Sequence, residues 1–195
     1  MLGVAAWPGL ILTSLQWVTM SEEADKLCDP EAAFRDVFRG HPAGIALITA
    51  TVDGEPVGLT ASSVSSLSLD PLSISFSLMK RDGSAGQLLR ADSMLVHFLT
   101  DSQAEVAASF SKSRNDRPAG EKFYPDQGWT TAETGEPLLP GSRAVLRVVP
   151  LDVAQAGQAT LIAAEVTDVL TTSDEPALLF QGHKFFSIAG LEPLA

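Results

Sequence analysis

The spacing of apolar and polar positions changes several times along the chain, and each change marks an element. Over 72–78 the alternation is strict: Leu72, Ile74, Phe76 and Leu78 point one way, and Ser73, Ser75 and Ser77 the other. That is the period of a strand with one face in a core and the other toward water or a polar ligand. Residues 44–52 form an apolar, β-branched run that stops at Asp53-Gly54, a dipeptide suited to a two-residue hairpin turn. The return strand is predicted over roughly 55–62. Further strands are predicted at 94–99 and in two long runs, 143–153 and 159–171, joined across Ala156-Gly157.

Helical spacing appears only in short pieces. Asp29-Pro30-Glu31 supplies an N-cap, a proline at N1 and an acid near the positive end of the helix dipole. Phe34, Val37 and Phe38 then share one face, and Gly40 ends the helix. A second short helix near 85–91 follows the polar turn Lys80-Arg81-Asp82-Gly83-Ser84. A third is capped by Ser102 and carries Val106, Ala107 and Phe110 on one face. Residues 123–141 read as irregular, and the tail 176–189 contains Phe180, Phe185 and Phe186. Strands dominate and the helices are short insertions, so the expected class is mainly β, a barrel with excursions.

The first residues bear on domain organisation. Residues 1–20 are uncharged and fairly apolar, but they have no basic n-region and no small-x-small cleavage site. Pro8, Gln16 and two tryptophans argue against a membrane span. Met20-Ser21-Glu22-Glu23 resembles a translation start. The expectation is an N-terminal extension over 1–29, poorly ordered or a surface arm, followed by one domain over 30–195.

Composition excludes several functions. With 45% hydrophobic and 19% charged residues the chain is globular. A single cysteine, Cys28, rules out an internal disulfide framework and is consistent with a reducing cytoplasm. His41, His97 and His183 show no zinc spacing, and His97, within a strand, reads as a satisfied or edge histidine rather than a catalyst. No Gly-x-Ser-x-Gly elbow, P-loop or dinucleotide glycine fingerprint is present. A net charge of −11 argues against nucleic-acid binding. It would also repel an anionic ligand, unless a local cluster of cations opposes it. Lys112, Arg114, Arg117 and Lys122 form such a cluster, four of the 13 basic residues within eleven positions. The same run also reads as a solvated loop of mixed charge.

The stretch with the most unusual chemistry is Gly58-Leu59-Thr60-Ala61-Ser62-Ser63-Val64-Ser65-Ser66-Leu67-Ser68-Leu69-Asp70-Pro71. It is small or hydroxylated almost throughout and uncharged before Asp70. Such a run brings backbone N–H groups and hydroxyls close to a flat, polar-edged ligand. It also reads as a serine-rich connector between strands.

This stretch resembles the flavin-loop pattern of the flavin reductase-like family, the FMN-binding split barrels that include reductase components of two-component monooxygenases. The resemblance runs from about residue 32 to 188. Supporting pieces are Ala107-Ala108-Ser109-Phe110, Lys122-Phe123, Gly135-Glu136-Pro137-Leu138-Leu139 and Ala164-Glu165-Val166. It implies a split β-barrel that binds FMN, with FAD as the alternative, and transfers hydride to it from NAD(P)H. It places Thr60, Ala61, Ser62 and Ser63 along the ring edge and ribityl chain, with Ser66 in the same set. Lys80, Ser84, Phe110, Lys112, Lys122 and Phe123 fall in the segments that hold the phosphate end. It further implies a homodimer, no catalytic acid, base or nucleophile, and a monooxygenase that uses the reduced flavin. Many members carry Gly-Asp-His before the penultimate strand; here the run is Gly157-Gln158-Ala159-Thr160, and Leu179 and Gln181 stand where a Tyr and an Arg are common. These departures leave a second reading open, a flavin-binding electron-transfer or sensing module with little NAD(P)H activity.

Overall fold

A computed structural model of the chain describes residues 29–112, 122–192 and 194. The N-terminal extension, apart from Asp29, lies outside these residues, as do Arg114 and Arg117. The described residues fall into two units divided between His41 and Pro42. The first is helix α1 (Pro30–Gly40), whose N-cap Asp29 accepts hydrogen bonds from the N–H groups of Glu31 and Ala32, as its sequence dictates. Its polar side is laced by Glu31–Arg35 and Asp36–Arg39 pairs, and Phe34, Val37 and Phe38 are exposed.

The second unit is built on a seven-stranded, wholly antiparallel sheet, ordered β3-β2-β6-β9-β10-β5-β4. The strands are β2 (Ala46–Val52), β3 (Glu55–Ala61), β4 (Ser65–Leu69), β5 (Leu72–Leu78), β6 (Met94–Phe98), β9 (Ala144–Ala156) and β10 (Ala159–Thr172). The sheet curls until β3 approaches β5. No ladder bridges that seam; the Ser63 hydroxyl instead accepts from the Ser77 N–H (2.9 Å). A barrel open along one seam is a split barrel, as expected. The long strands β9 and β10 carry three register shifts, and such bulges bend strands that would otherwise be too long to wrap a core. A smaller sheet pairs β1 (Ala43–Gly44) with β11 (Leu178–Gln181) and β11 with β12 (Lys184–Ser187).

Strand β2 explains why its sequence is a continuous apolar run. Ala46, Ile48, Ala50 and Val52 face the barrel core with Ile74, Phe76, Leu78, Val96 and Ile162. Leu47 on the opposite face packs with Leu99, Ala107, Phe110, Leu139 and Leu178. Each fully buried side chain of this size is worth about 1.5–3 kcal/mol. Asp53 and Gly54 both take positive φ (55° and 82°), the expected hairpin turn.

Several local expectations are corrected. The run 44–52 is interrupted at Ile45, where the chain passes from the small sheet to the large one. The serine-rich stretch is not a single connector: Ser65–Leu69 pairs with β5 as an edge strand, because its residues share the register set by the turn at 70–71. Leu72 is 53% exposed and Ser73 is buried, reversing the alternation at the rim. The second helix is α2 (Gly83–Leu88), beginning earlier than 85. The third opens with a 3-10 turn over Asp101–Gln103 capped by Thr100, not Ser102, and continues as α3 (Ala104–Ser111). Thr100 wins because Gln103 returns its side-chain oxygen to the Thr100 N–H (3.2 Å), closing a capping box. The segment thought irregular contains a short ribbon, β7 (Thr130–Thr131) with β8 (Pro137–Leu138).

Candidate functional site

At the end of β3 the chain carries Thr60 and Ala61, then turns through Ser62 and Ser63 beside the end of β5. From β5 it continues through the exposed Lys80 into α2, where Ser84 is half-buried. The two runs are joined by Lys122. Its Nζ donates to the Gly58 carbonyl (2.5 Å) and to Ser84 Oγ (2.6 Å), and lies 5.7 Å from the centre of the Phe110 ring. A lysine thus stands at the junction of β3 and α2.

Two glycines make that junction possible. A Cβ on Gly58 would lie 2.9 Å from Phe110 Cε1 and 3.1 Å from the Ile48 carbonyl, so only glycine lets α3 seat its aromatic ring on β3. A Cβ on Gly86 would come within 2.2 Å of the Arg81 carbonyl; without one, α2 folds tightly beneath the turn bearing Lys80. Arg81 reaches the other way, its Nη2 donating to the Gly157 carbonyl at the β9–β10 tip (3.3 Å).

Beneath Lys122 lies an aromatic cluster. Phe123 meets Phe110 edge-on (5.1 Å between centroids) and Trp129 likewise (4.8 Å); Trp129 also meets Phe110 (5.6 Å). The His97 ring stands edge-on to Trp129 at 6.2 Å. His97 is completely buried. Its Nε2 accepts from the Leu139 N–H (3.2 Å), which fixes the tautomer, so Nδ1–H donates to the Leu47 carbonyl (3.1 Å). Burial lowers its pKa to about 4 against the opposing pull of the Leu47 bond, so it is neutral at pH 7. His97 is the satisfied histidine expected of its strand.

The segment holding Leu139 is stapled to the outer face of β2, β6 and β9. Thr51 Oγ1 donates to the Gly135 carbonyl and Thr49 Oγ1 to that of Pro137, both at 2.7 Å. Between them Glu136, 2% exposed, accepts from Ser93 Oγ (2.5 Å) and from Thr134 Oγ1, with Arg147 Nε 3.6 Å away. Burial opposes ionisation of Glu136; bonds from Ser93, Thr134 and its own N–H, with the Arg147 charge, outweigh it and hold the carboxyl below its ordinary range.

The expected site residues therefore divide. Ser84, Phe110, Lys122 and Phe123 are joined by direct contacts, and Thr60 and Ala61 follow Gly58 on the same strand. Ala61 and Phe110 are core side chains, 7% and 2% exposed, so Ala61 offers a ligand only its backbone and the Phe110 ring serves to support Lys122. Ser62, Ser63, Ser66, Lys80 and Lys112 are exposed; Ser66 sits on β4 opposite Ile74. The supporting roles of Trp129 and His97 emerge only from packing; that of Gly58 has a local sign, a glycine inside a strand. The donor chemistry fits a phosphorylated flavin. Among the described residues the hydroxyls of Thr60, Ser62 and Ser66 make no side-chain hydrogen bond, no acid occurs between Gly58 and Leu69, and an ammonium stands at one end. No cluster of potential metal ligands exists among the described residues.

An antiparallel split barrel with a hydroxyl-lined seam places the chain among the mainly β split-barrel proteins. More narrowly, the flavin reductase like domain matches residues 38–189, and the chain belongs to the flavin reductase-like family. The NADH:FMN oxidoreductase of Rhodococcus qingshengii is 33% identical over 157 residues, covering 78% of this chain and 79% of that protein. HsaB, the reductase subunit of a flavin-dependent monooxygenase from Rhodococcus jostii, is 29% identical over 170 residues, 87% of this chain and 82% of that protein. In three dimensions the chain resembles the crystal structure of a flavin reductase domain protein from Arthrobacter sp. FB24. The TM-score is 0.75 at 25% identity, covering 85% of this chain and 99% of that one.

Proposed function

We propose that this chain is an NAD(P)H:flavin oxidoreductase that reduces FMN and supplies it to a partner monooxygenase. The observation that carries the reading is the junction where Lys122 bridges Gly58 and Ser84, on the strand that continues into the uncommitted hydroxyls of Thr60 and Ser62. A flavin held there would supply the hydride-accepting chemistry, which the cofactor carries itself. The protein's part is to bind and orient. Lys122 neutralises the phosphate that a chain of net charge −11 would otherwise repel. Thr60, Ser62, Ser63 and Ser66 supply hydroxyl and backbone donors to the polar edges of the ring and chain, and Lys80, Ser84 and Lys112 belong to the phosphate end. Similarity to the NADH:FMN oxidoreductase and to a monooxygenase reductase subunit supports both halves of the reading.

A homodimer belongs to the same proposal. Leu69 and Leu72 face each other across the β4–β5 pair and both are exposed, apolar surface of the kind a second copy covers. No helix among the described residues is long and apolar enough to cross a membrane, and a cytoplasmic setting accords with the single cysteine.

The reading is tested by following NADH and NADPH oxidation by the purified protein with FMN, FAD and riboflavin. It expects turnover that needs added or bound flavin. Binding of FMN without turnover with either nicotinamide would favour the electron-transfer alternative, which Ala159 at the usual histidine position keeps in play.

A further inference from the structure

Resting on the flavin-binding reading above, we infer that His97 is a positioning residue for the phosphate end of the flavin site, acting on Lys122 through Trp129 and Phe123. The argument is one of connected packing. Lys122 is covalently followed by Phe123, and the Phe123 ring rests against Trp129 and Phe110 at centroid distances of 4.8 and 5.1 Å. The Trp129 ring in turn meets the edge of His97. His97 cannot swing away, because each ring nitrogen is used: Nδ1–H on Leu47 of β2 and Nε2 on the Leu139 N–H. An imidazole so held is a fixed edge for Trp129, which in turn meets Phe123 and Phe110, the ring beside the Lys122 ammonium.

The same histidine pins the strap that returns beneath these rings. Leu139 ends the segment begun at Trp129, and its N–H has His97 as partner, while its side chain is buried with Leu47, Ala107 and Phe110. Thr49, Thr51 and Glu136 fasten the middle of the strap; at its end His97 accepts from the Leu139 N–H, while Ser142 Oγ donates to the Leu139 carbonyl and Gln103 Nε2 to that of Pro140. An apolar residue in place of His97 leaves the buried Leu139 N–H without an acceptor, loosens the strap on the side of the rings, removes the imidazole edge from Trp129 and lets Trp129, Phe123 and Lys122 shift together. A shift of about an ångström is enough to spoil a charge-assisted contact to a phosphate. His97 itself is buried beneath the rings, so its influence must show in the ligand's phosphate and not in its ring.

The test compares dissociation constants of FMN and riboflavin, which differ by the phosphate, for the wild type, His97→Leu and His97→Gln at neutral pH. Glutamine retains one acceptor and one donor without charge. His97→Leu is expected to weaken FMN by about tenfold while riboflavin changes by less than about twofold, and His97→Gln to recover most of the preference for FMN. An unchanged FMN-to-riboflavin ratio in His97→Leu, equal loss of both ligands, or a glutamine variant no better than leucine would overturn the inference. Trp129→Leu, which breaks the relay one ring nearer the lysine and leaves the His97 bonds in place, covers the case in which His97→Leu does not fold. It must show the same selective loss of FMN. A wild type that binds neither flavin would instead overturn the proposed function.

Discussion

Replacing Lys122 by methionine isolates the charge at the junction of β3 and α2, because methionine keeps an unbranched apolar stem of similar length. In the native protein the ammonium is half-buried, 2.5 Å from the Gly58 carbonyl, 2.6 Å from Ser84 Oγ and 5.7 Å from the Phe110 ring centre. Hydrogen bonds to a charged group contribute about 1.5–3 kcal/mol each when partly desolvated. A phosphate contacted by this ammonium falls in the same class, reduced somewhat by the cost of rearranging the two existing bonds. The variant should therefore bind FMN more weakly by about 1–3 kcal/mol, roughly 5- to 150-fold. Riboflavin, which has no phosphate, should lose less than about threefold. Quenching of flavin fluorescence, titrated in parallel for both ligands, measures the difference, with a thermal melt to establish that both proteins are folded. Equal loss for FMN and riboflavin would refute the reasoning and make Lys122 a strut between strand and helix.

Three further perturbations probe the scaffold. Gly58→Ala places a methyl 2.9 Å from the Phe110 ring and 3.1 Å from the Ile48 carbonyl, so urea unfolding should show a loss of about 1–3 kcal/mol; an unchanged midpoint would contradict the close approach of α3 to β3. His97, with a folded pKa of about 4 against 6.5 unfolded, binds fewer protons when folded. Its contribution is intact above about pH 6.5 and is lost as pH falls toward about 4, reaching about 3 kcal/mol in all. Between pH 7 and pH 5.5, about 1 kcal/mol should disappear in the wild type and not in His97→Gln; equal slopes would contradict a His97 buried in its neutral form. Glu136→Gln removes a buried carboxylate beside Arg147 and should cost about 1–3 kcal/mol at neutral pH. Because the native carboxyl is held below its ordinary value, that gap should narrow as acid protonates it, and a gap constant with pH would show the charge to be immaterial.

The larger part of the barrel was legible because its signals are local. Asp53-Gly54 set the hairpin, Asp29-Pro30-Glu31 set α1, and the run at 72–78 set the core face of β5. The failures occur where a distant residue decides. Ser65–Leu69, an exception, has the composition of a loop and is a strand because the adjacent turn at 70–71 folds it back on β5. Ile45 breaks an apolar run because the chain changes sheets at that point, which no local period records. At the site, the serine-rich stretch and Lys122 were visible as residue types. Nothing in the sequence placed Lys122 on the Gly58 carbonyl, since 64 residues separate them. Gly58 itself, a glycine within a strand, was the one local sign of a close approach. Trp129 looked like part of an irregular segment; its place between His97 and Phe123 depends on the threonine staples from β2.

The central claim is tested most directly by mixing the purified protein with FMN and NADH in the absence of oxygen and following the flavin's visible absorbance. The account predicts rapid bleaching that scales with protein concentration and greatly exceeds the rate of FMN and NADH alone. Bleaching no faster than the protein-free control, with NADPH as well as NADH, would contradict it.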